Sequence, residues 1–275
     1  GFALFQKTDW EIWLKSLIEL LNQSDYRKLA PFIIREAELY QRGEYLQYET
    51  KDHGITLLTD LTERSPTFNL LPFENTYDTN HEASLSYLSI REASDSHEAW
   101  QHLLKRDPRC LEWENIKNFA GLDYFQGFDI SQEAKIKPQA TTAVSNTNLF
   151  SIEDKDHALF FHLRDHTQSW RYGQADLLQQ HLLLKVLLNT HSTLVMGRMG
   201  RYEGNLMTWV KPSNYKLIDR AIRYVRELWW REHAHELSYR RVAEALFCQR
   251  EIQTTDQPIV LKTLDRLNQE IKLSR

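Results

Sequence analysis

The chain has 275 residues, of which 41% are hydrophobic, 12% aromatic and 26% charged, and its formal net charge is -4. Eight Trp, 12 Tyr and 12 Phe supply enough apolar surface for a core, which excludes general disorder, and the length allows one large domain or two smaller ones. Proteins that bind nucleic acid neutralise phosphates with clustered Lys and Arg, so this slightly acidic chain predicts no nucleic-acid partner.

The cysteines and the most apolar segment narrow the class of protein further. Cys110 and Cys248 are too few for a disulfide framework or a cysteine-based zinc site, and such sparse use of cysteine favours the cytoplasm. Residues 177–196 contain too many polar side chains to span a membrane, so we expect no membrane partner. The chain begins at Gly1 without Met, and we therefore expect a fragment of a longer protein.

Hydrophobic periodicity predicts helices interspersed with strands. The predicted helices lie near residues 9–21, 26–40, 94–105, 174–199, 213–229, 238–248 and 258–273. The predicted strands lie at residues 44–48, 55–59, 85–90 and 158–163, and residues 65–80 and most of 107–151 are predicted to be loops. Ser94 and Ser213 are the expected caps of their helices. This order indicates an α/β core with helical segments at both ends.

A first candidate site follows the predicted strand at 55–59. Asp60, Thr62, Glu63, Arg64 and Ser65 would meet beyond the carboxyl end of that strand, where open α/β sheets bind ligands. Glu63 could accept hydrogen bonds from sugar hydroxyls or act as a general base. The alternative is an ordinary strand exit, with Asp60 as a cap and Glu63 paired to Arg64 in solvent.

A second candidate is the segment 196–205. Gly197 and Gly200, with Arg198 and Arg201, could approach a phosphate, although their spacing is not that of a known phosphate-binding loop. The alternative is the end of a helix, at which glycines allow other groups to approach closely.

A third candidate is the segment 211–216. Lys211 and Lys216 flank the start of a capped helix, where a phosphate or carboxylate could bind. A capped helix with a solvated face is the alternative.

Metal chemistry is not predicted. None of the 11 histidines forms the i, i+4 helical pair of a zinc hydrolase, and the sequence contains no Gly-x-Ser-x-Gly nucleophile turn. We therefore expect neither a metal site nor a cofactor.

Three segments resemble one superfamily, the sugar isomerase (SIS) domains. Asp60-x-x-Glu63-x-x-Pro66-Thr67-Phe68 resembles the segment of N-acetylmuramic acid 6-phosphate etherases that ends in Pro-Thr-Phe. Residues 180–207 and 213–221 are similar to the long helix, the following strand and the next helix of that branch, in the same order. The longer run 62–68, continued by 71–75, is more similar to the second SIS domain of glucokinase regulatory proteins than to an etherase.

The resemblance implies a three-layer α/β/α sandwich with a mostly parallel sheet and a C-terminal helical cap, divided here into residues 1–212 and 213–275. It also implies binding of a phosphorylated sugar, either fructose 6-phosphate-like or an amino-sugar phosphate. The implied partners are a second SIS domain, in the same chain or in a homodimer, and a sugar kinase. By motif match Glu63 reaches the sugar, with Thr62, Ser65 and Lys216 as further contacts.

One departure from the family decides between the functional hypotheses. SIS domains hold phosphate with a Gly- and Ser/Thr-rich loop after the first strand, but residues 48–54 contain one glycine, and Glu49 and Asp52 would repel a phosphate dianion. No equivalent turn is recognisable in 90–140, and Thr141-Thr142 is the nearest remnant.

The leading hypothesis is therefore a regulatory phosphosugar-binding domain that is not catalytic by itself. The alternative is a phosphosugar isomerase or an etherase-like lyase with Glu63 as its acid/base residue. A third hypothesis is an interaction domain that docks through an exposed Trp229-Trp230 pair, although such pairs are more often buried in helix packing.

Overall fold

The computed structural model describes residues 9–77, 84–135, 148–252 and 257–273. Its helices are α1 (Trp10–Gln23), α2 (Ala30–Gln41), α3 (Gly54–Phe68), α4 (Ser96–Leu104), α5 (Lys117–Ala120), α6 (Leu122–Gln126), α7 (Leu177–Arg198), α8 (Tyr215–His233), α9 (Tyr239–Ile252) and α10 (Ile259–Leu273). Its strands are β1 (Leu46–Thr50), β2 (Ser86–Ile90), β3 (Asn148–Lys155), β4 (Ala158–Leu163), β5 (His166–Arg171), β6 (Tyr202–Glu203) and β7 (Leu206–Met207). Short 3₁₀ helices cover Tyr26–Leu29 and Glu133–Lys135.

The larger sheet has the strand order β2-β1-β3-β4-β5. Strand β1 pairs in parallel with both β2 and β3, and β4 pairs antiparallel with β3 and with β5. Strand β5 therefore runs in the same direction as β3, and in this sheet only β4 opposes the others. The predicted α/β class is confirmed: a mostly parallel sheet is flanked by helices and followed by a C-terminal helical region.

An aromatic cluster builds the core on one face of this sheet. The register places Tyr48 opposite Phe150, and their rings lie 5.0 Å apart. Phe32 of helix α2 stacks on Phe150 at 5.5 Å, and Phe161 of β4 meets Phe150 edge-on at 5.6 Å. His191 of α7 lies 5.5 Å from the same ring. Helices α2 and α7 therefore cover this face, and side chains from both helices and three strands exclude water from it.

The described residues belong to two compact units. The first unit contains residues 1–60 and 73–193, and with them the larger sheet. The second contains residues 61–72 and 194–275, and with them the β6–β7 hairpin and helices α8 to α10. The predicted division at residue 212 stays a prediction.

Helices α8, α9 and α10 form the core of the second unit. The amphipathic pattern of α8 buries Leu217, Ala221, Val225 and Trp229 at a spacing of about four residues. Val242 and Leu246 of α9 and Val260 and Leu264 of α10 belong to the same buried cluster. Trp229 is completely buried, whereas Trp230 is 53% exposed. The prediction of an exposed pair is therefore wrong for Trp229, because the helical period turns neighbouring residues toward different surroundings.

The helical predictions agree with the structure within a few residues, but two caps differ. Asp95 caps α4 by accepting a hydrogen bond from the Glu98 amide at 2.8 Å, and Asn214 caps α8 through the Leu217 amide at 3.0 Å. Each cap lies one residue after the predicted serine. The predicted loop at 107–151 contains α5, α6 and the start of β3, while residues 136–147, including Thr141-Thr142, lie outside the described residues. Within the described chain, every helix is too short or too polar to cross a bilayer.

Candidate functional site

The family-like segment 60–68 lies on a helix. The prediction of a strand at 55–59 is wrong, because these residues begin helix α3, which continues to Phe68. β-Branched Ile55, Thr56 and Thr59 favour a strand locally. Burial follows the helical period instead, with buried side chains at positions 57, 60, 61, 64 and 68.

This correction changes what the first candidate residues can do. Thr62 and Glu63 are exposed on α3, and Ser65 is half-buried. Asp60 is buried and accepts a hydrogen bond from Ser192 Oγ at 3.1 Å, so it holds α3 against α7 and neither caps a helix nor faces solvent. Arg64 is buried as well. The five residues therefore do not meet in one loop, and of these Thr62, Glu63 and Ser65 remain accessible.

The C-terminal end of α3 is held by two later segments of the same unit. Arg201 Nη1 donates hydrogen bonds to the carbonyl oxygens of Phe68 (2.6 Å) and Asn69 (2.9 Å). The backbone N–H of Lys211 donates to the carbonyl of Pro66 at 3.0 Å. Carbonyls at a helix end lack helical partners and carry partial negative charge, so a buried guanidinium stabilises them. Two family-like segments, 60–68 and 180–207, thus meet at this helix end, together with Lys211, which lies just before the third.

Segment 196–205 follows the helix-end interpretation. A Cβ atom on Gly197 would lie 2.2 Å from the Tyr202 hydroxyl, so only glycine permits this contact. Gly204 has a φ of +59° and turns the chain between β6 and β7. Arg201 donates to backbone carbonyls as described above. These glycines serve close packing and a tight turn.

Lys216 lies in the first turn of α8, and its side chain is exposed. It belongs to the same unit as Thr62, Glu63 and Ser65 but to a different helix. The four predicted contact residues are therefore divided between the second half of α3 and the start of α8.

Ion pairs surround the loop that follows β1. Lys51 pairs with Glu92 at 2.7 Å. Arg91 pairs with both Glu49 (3.1 Å) and Glu153 (2.8 Å). The expectation that Glu49 repels a phosphate is therefore wrong, because Glu49 is buried within β1 and its charge is balanced by Arg91. Asp52 remains exposed.

Beside this loop, a chain of titratable side chains connects β3, the residue after β5, the residue before α3, and α7. His53 Nε2 lies 3.1 Å from Asp154 Oδ2, and the Tyr172 hydroxyl donates to Asp154 Oδ1 at 2.5 Å. Burial and the Asp154 carboxylate raise the pKa of Tyr172. The ring of His181 meets that of His53 edge-on at 4.9 Å, and His181 Nδ1 lies 2.7 Å from Thr56 Oγ1. A network of side chains thus lies beside the loop after β1, where the resemblance to SIS domains implies a phosphate-binding loop.

The environment of His181 predicts that the folded chain loses stability in mild acid. Burial, and secondly the neighbouring His53, lower the pKa of His181 from its ordinary value of 6.5. Below this value the unfolded chain takes up a proton that the folded chain resists, so stability is full above pH 6.5 and declines as the pH falls toward the folded pKa. One proton limits the slope to about 1.4 kcal/mol per pH unit. We expect urea unfolding between pH 8 and pH 5 to show a smaller decline in His181→Asn than in the wild type.

The matched control for this prediction is His157→Asn. His157 is exposed in the β3–β4 turn with a φ of +56°, which asparagine also adopts. This variant should keep the wild-type decline. An unchanged decline in His181→Asn would contradict the role given to His181.

Within the described residues, no group of three or more His, Cys, Asp or Glu side chains could hold a metal ion. Cys110 and Cys248 are both free thiols.

Comparison with curated proteins gives similarity over parts of the chain. It is 50% identical over 44 residues to N-acetylmuramic acid 6-phosphate etherase of Synechococcus sp. (strain CC9605). It is 32% identical over 83 residues to the enzyme of the same name from Staphylococcus aureus (strain USA300). The chain is partly similar to these etherases. The matches cover 16% and 28% of this chain and 14% and 28% of the relatives, so the chain spans well under half the length of the relatives it matches. No protein-family model matches it.

The sequence reasoning missed several groups that the structure brings together. Arg201, a candidate phosphate contact in the sequence, binds the end of α3 instead, and its guanidinium lies 4.5 Å from the centre of the Trp209 ring. The network of His53, Asp154 and Tyr172 was not predicted at all. Asp154 lies within β3, a segment over which no strand was predicted, so no local pattern indicated its place.

Proposed function

We propose that this chain is a phosphosugar-binding SIS domain of the glucokinase-regulatory type, regulatory and not catalytic by itself. The observation that carries the proposal is the partial similarity to N-acetylmuramic acid 6-phosphate etherases, whose name specifies a phosphorylated amino sugar. The α/β fold with a mostly parallel sheet agrees with it. The ligand is either such an amino-sugar phosphate or a fructose 6-phosphate-like sugar.

Glu63 is the proposed sugar contact. It is exposed on α3 beside Thr62, and its carboxylate can accept hydrogen bonds from two neighbouring hydroxyls of a sugar. Ser65 and Lys216 are the further proposed contacts. A second SIS domain, from the same protein or from a second copy of it, is a further proposed partner. A sugar kinase is the proposed protein partner, and the free cysteines fit a cytoplasmic location.

Binding is favoured over catalysis by the loop after β1. It presents Lys51, Asp52 and His53 among ion pairs and hydrogen bonds, without the glycines that would let backbone amides surround a phosphate. Catalysis needs a substrate held rigidly against its acid or base. The alternative, an isomerase or lyase using Glu63, is favoured by the etherase names of the relatives.

A thermal-shift titration tests the proposed function. We expect fructose 6-phosphate, fructose 1-phosphate or N-acetylmuramic acid 6-phosphate to raise the melting temperature, while the unphosphorylated sugars do not. A ligand at 100 times its Kd stabilises the fold by about 2.7 kcal/mol, which is easily measured. The Glu63→Gln variant should show no rise in melting temperature. The control variant Glu19→Gln, which changes an exposed glutamate of helix α1, should show the same rise as the wild type.

The same samples distinguish binding from catalysis. The proposal expects no isomer and no ether cleavage after prolonged incubation with the bound sugar. Turnover that Glu63→Gln abolishes and Glu19→Gln preserves would establish the enzyme alternative. A wild-type chain that none of the phosphosugars stabilises would contradict both functions.

A further inference from the structure

A cleft of about 160 Å³ opens in the second unit beside the end of helix α3. Its walls are formed by Asn69 after α3, residues 209–213 before α8, Arg250 near the end of α9, and Gln257 just before α10. The lining side chains that can bind a ligand are Asn69, Trp209, Lys211, Ser213, Arg250 and Gln257. This volume corresponds to roughly five water molecules, and a phosphate group has five non-hydrogen atoms.

The lining carries two positive charges. Among the described lining residues, Lys211 and Arg250 are cationic and none has a carboxylate. Neither cation forms an ion pair with any residue in the described part of the chain. Other arginines of this unit do, as in the pair Arg240–Glu244 (2.9 Å) on the same helix α9. Two cations without a counter-charge in one concave place attract an anion.

The walls are fixed by bonds inside the unit. Arg201 lies 4.5 Å from the centre of the Trp209 ring and also bonds the carbonyl of Asn69. The backbone of Lys211 is bonded to Pro66, and the Ser213 N–H donates to the Lys211 carbonyl at 2.8 Å. A cleft that exists before its ligand arrives saves the ordering cost of binding.

We propose that this cleft holds the phosphate of the phosphosugar, an inference that rests on the proposed function. Arg250 offers paired N–H donors that match an oxoanion, and Lys211 offers a mobile point charge. The Ser213 hydroxyl and the side-chain amides of Asn69 and Gln257 are the remaining donors. Two cations balance the two charges of a phosphate monoester.

This assignment supplies the phosphate contact that the loop after β1 lacks. Glu63 is five residues before Phe68 on α3, which is about 7.5 Å along the helix axis. A hexose attached to a phosphate in the cleft is long enough to extend toward Glu63. One unit would then contact both the phosphate and the hydroxyls of one ligand.

Calorimetric titration of the whole chain tests the cleft, with inorganic phosphate, fructose 6-phosphate and fructose as probes. We expect Lys211→Gln and Arg250→Gln each to raise the Kd for phosphate and for fructose 6-phosphate tenfold or more. Arg240→Gln removes the same charge from the same helix outside the cleft and should change neither Kd more than twofold. All three side chains are exposed, and circular dichroism will verify that each variant folds.

The outcomes separate the cleft from the proposed function. If both cleft variants bind fructose 6-phosphate as the wild type does, the phosphate is held elsewhere, and the cleft assignment is wrong while the proposed function stands. Equal weakening in Arg240→Gln would show a general charge effect and also overturn the assignment. If phosphate binds through Lys211 and Arg250 but the sugar adds no affinity, the cleft stands and the proposed function fails. If no probe binds, both fail.

Discussion

Replacing Glu36 with alanine should destabilise the chain by about 3–5 kcal/mol. Glu36 lies on α2 and is completely buried, as are Tyr48 and His191. The Tyr48 hydroxyl donates to Glu36 Oε2, and His191 Nε2 lies 3.4 Å from the same oxygen. Removal of the carboxylate leaves the buried Tyr48 hydroxyl without this acceptor, and it also leaves a cavity beside the buried His191 ring. The free energy of unfolding from urea titration measures the loss.

Glu38→Ala is the matched control for this prediction. Glu38 lies on the same helix and pairs with Arg35 at 3.4 Å, but its side chain is 38% exposed. Pairs at the surface contribute about 0–1 kcal/mol, so this variant should unfold nearly as the wild type does. Glu36→Gln keeps the volume and one acceptor oxygen and should fall between the two. Equal losses in Glu36→Ala and Glu38→Ala would show that the buried network does not stabilise the fold.

Trp229→Ala is expected to cost a similar amount, about 3–5 kcal/mol, in the helical unit. Trp229 has no exposed surface, and its ring lies 4.0 Å from that of His233. It also belongs to the buried cluster formed by α8, α9 and α10. Truncation to alanine removes the largest side chain of that cluster and leaves a cavity among the three helices. Thermal unfolding followed by circular dichroism measures the effect.

The neighbouring Trp230 provides the control, because it has the same side chain but is 53% exposed. Trp230→Ala should cost less than about 1 kcal/mol. Trp229→Phe should be milder than Trp229→Ala, because Trp229 Nε1 makes no hydrogen bond within the described residues and its loss removes no bond. A Trp230→Ala variant as unstable as Trp229→Ala would mean that the two residues share one buried environment.

Helices were the part of the fold that the sequence predicted best. Leu217, Ala221, Val225 and Trp229 recur about every four residues, and the structure buries this stripe. Long amphipathic helices carry their own periodic pattern, so neither their partners nor the rest of the fold needs to be known.

Short apolar segments were ambiguous because they are too short to show a helical or a strand period. Residues 55–59 fit a strand when they are considered alone, and only the burial of Leu61 and Arg64 further on shows the helical period. Strand β3 was not predicted because it contains the polar residues Glu153 and Asp154. Glu153 pairs with Arg91, the residue after β2, and Asp154 lies within hydrogen-bond distance of His53. Those partners lie far away in sequence, and a local pattern does not reveal them.

The candidate site was predicted in part. The residues that resemble the etherase segment were found, and Thr62 and Glu63 are accessible. Their placement on a helix was not found, and neither was the contact of that helix end with Arg201 and Lys211. The pairing of two cations in one cleft, Lys211 before α8 and Arg250 at the end of α9, depends on how α8 and α9 pack. Packing of this kind is a tertiary property.

The second unit combines two distant parts of the polypeptide, residues 61–72 and residues 194–275. Between them lie the 121 residues from 73 to 193. During translation, residues 61–72 therefore leave the ribosome before residues 194–275 have been synthesised. The contacts between these two segments form late in folding. An excised segment that starts at residue 213 would lack both Arg201 and the helix end to which it binds. Expression trials should therefore keep the early segment in the same polypeptide.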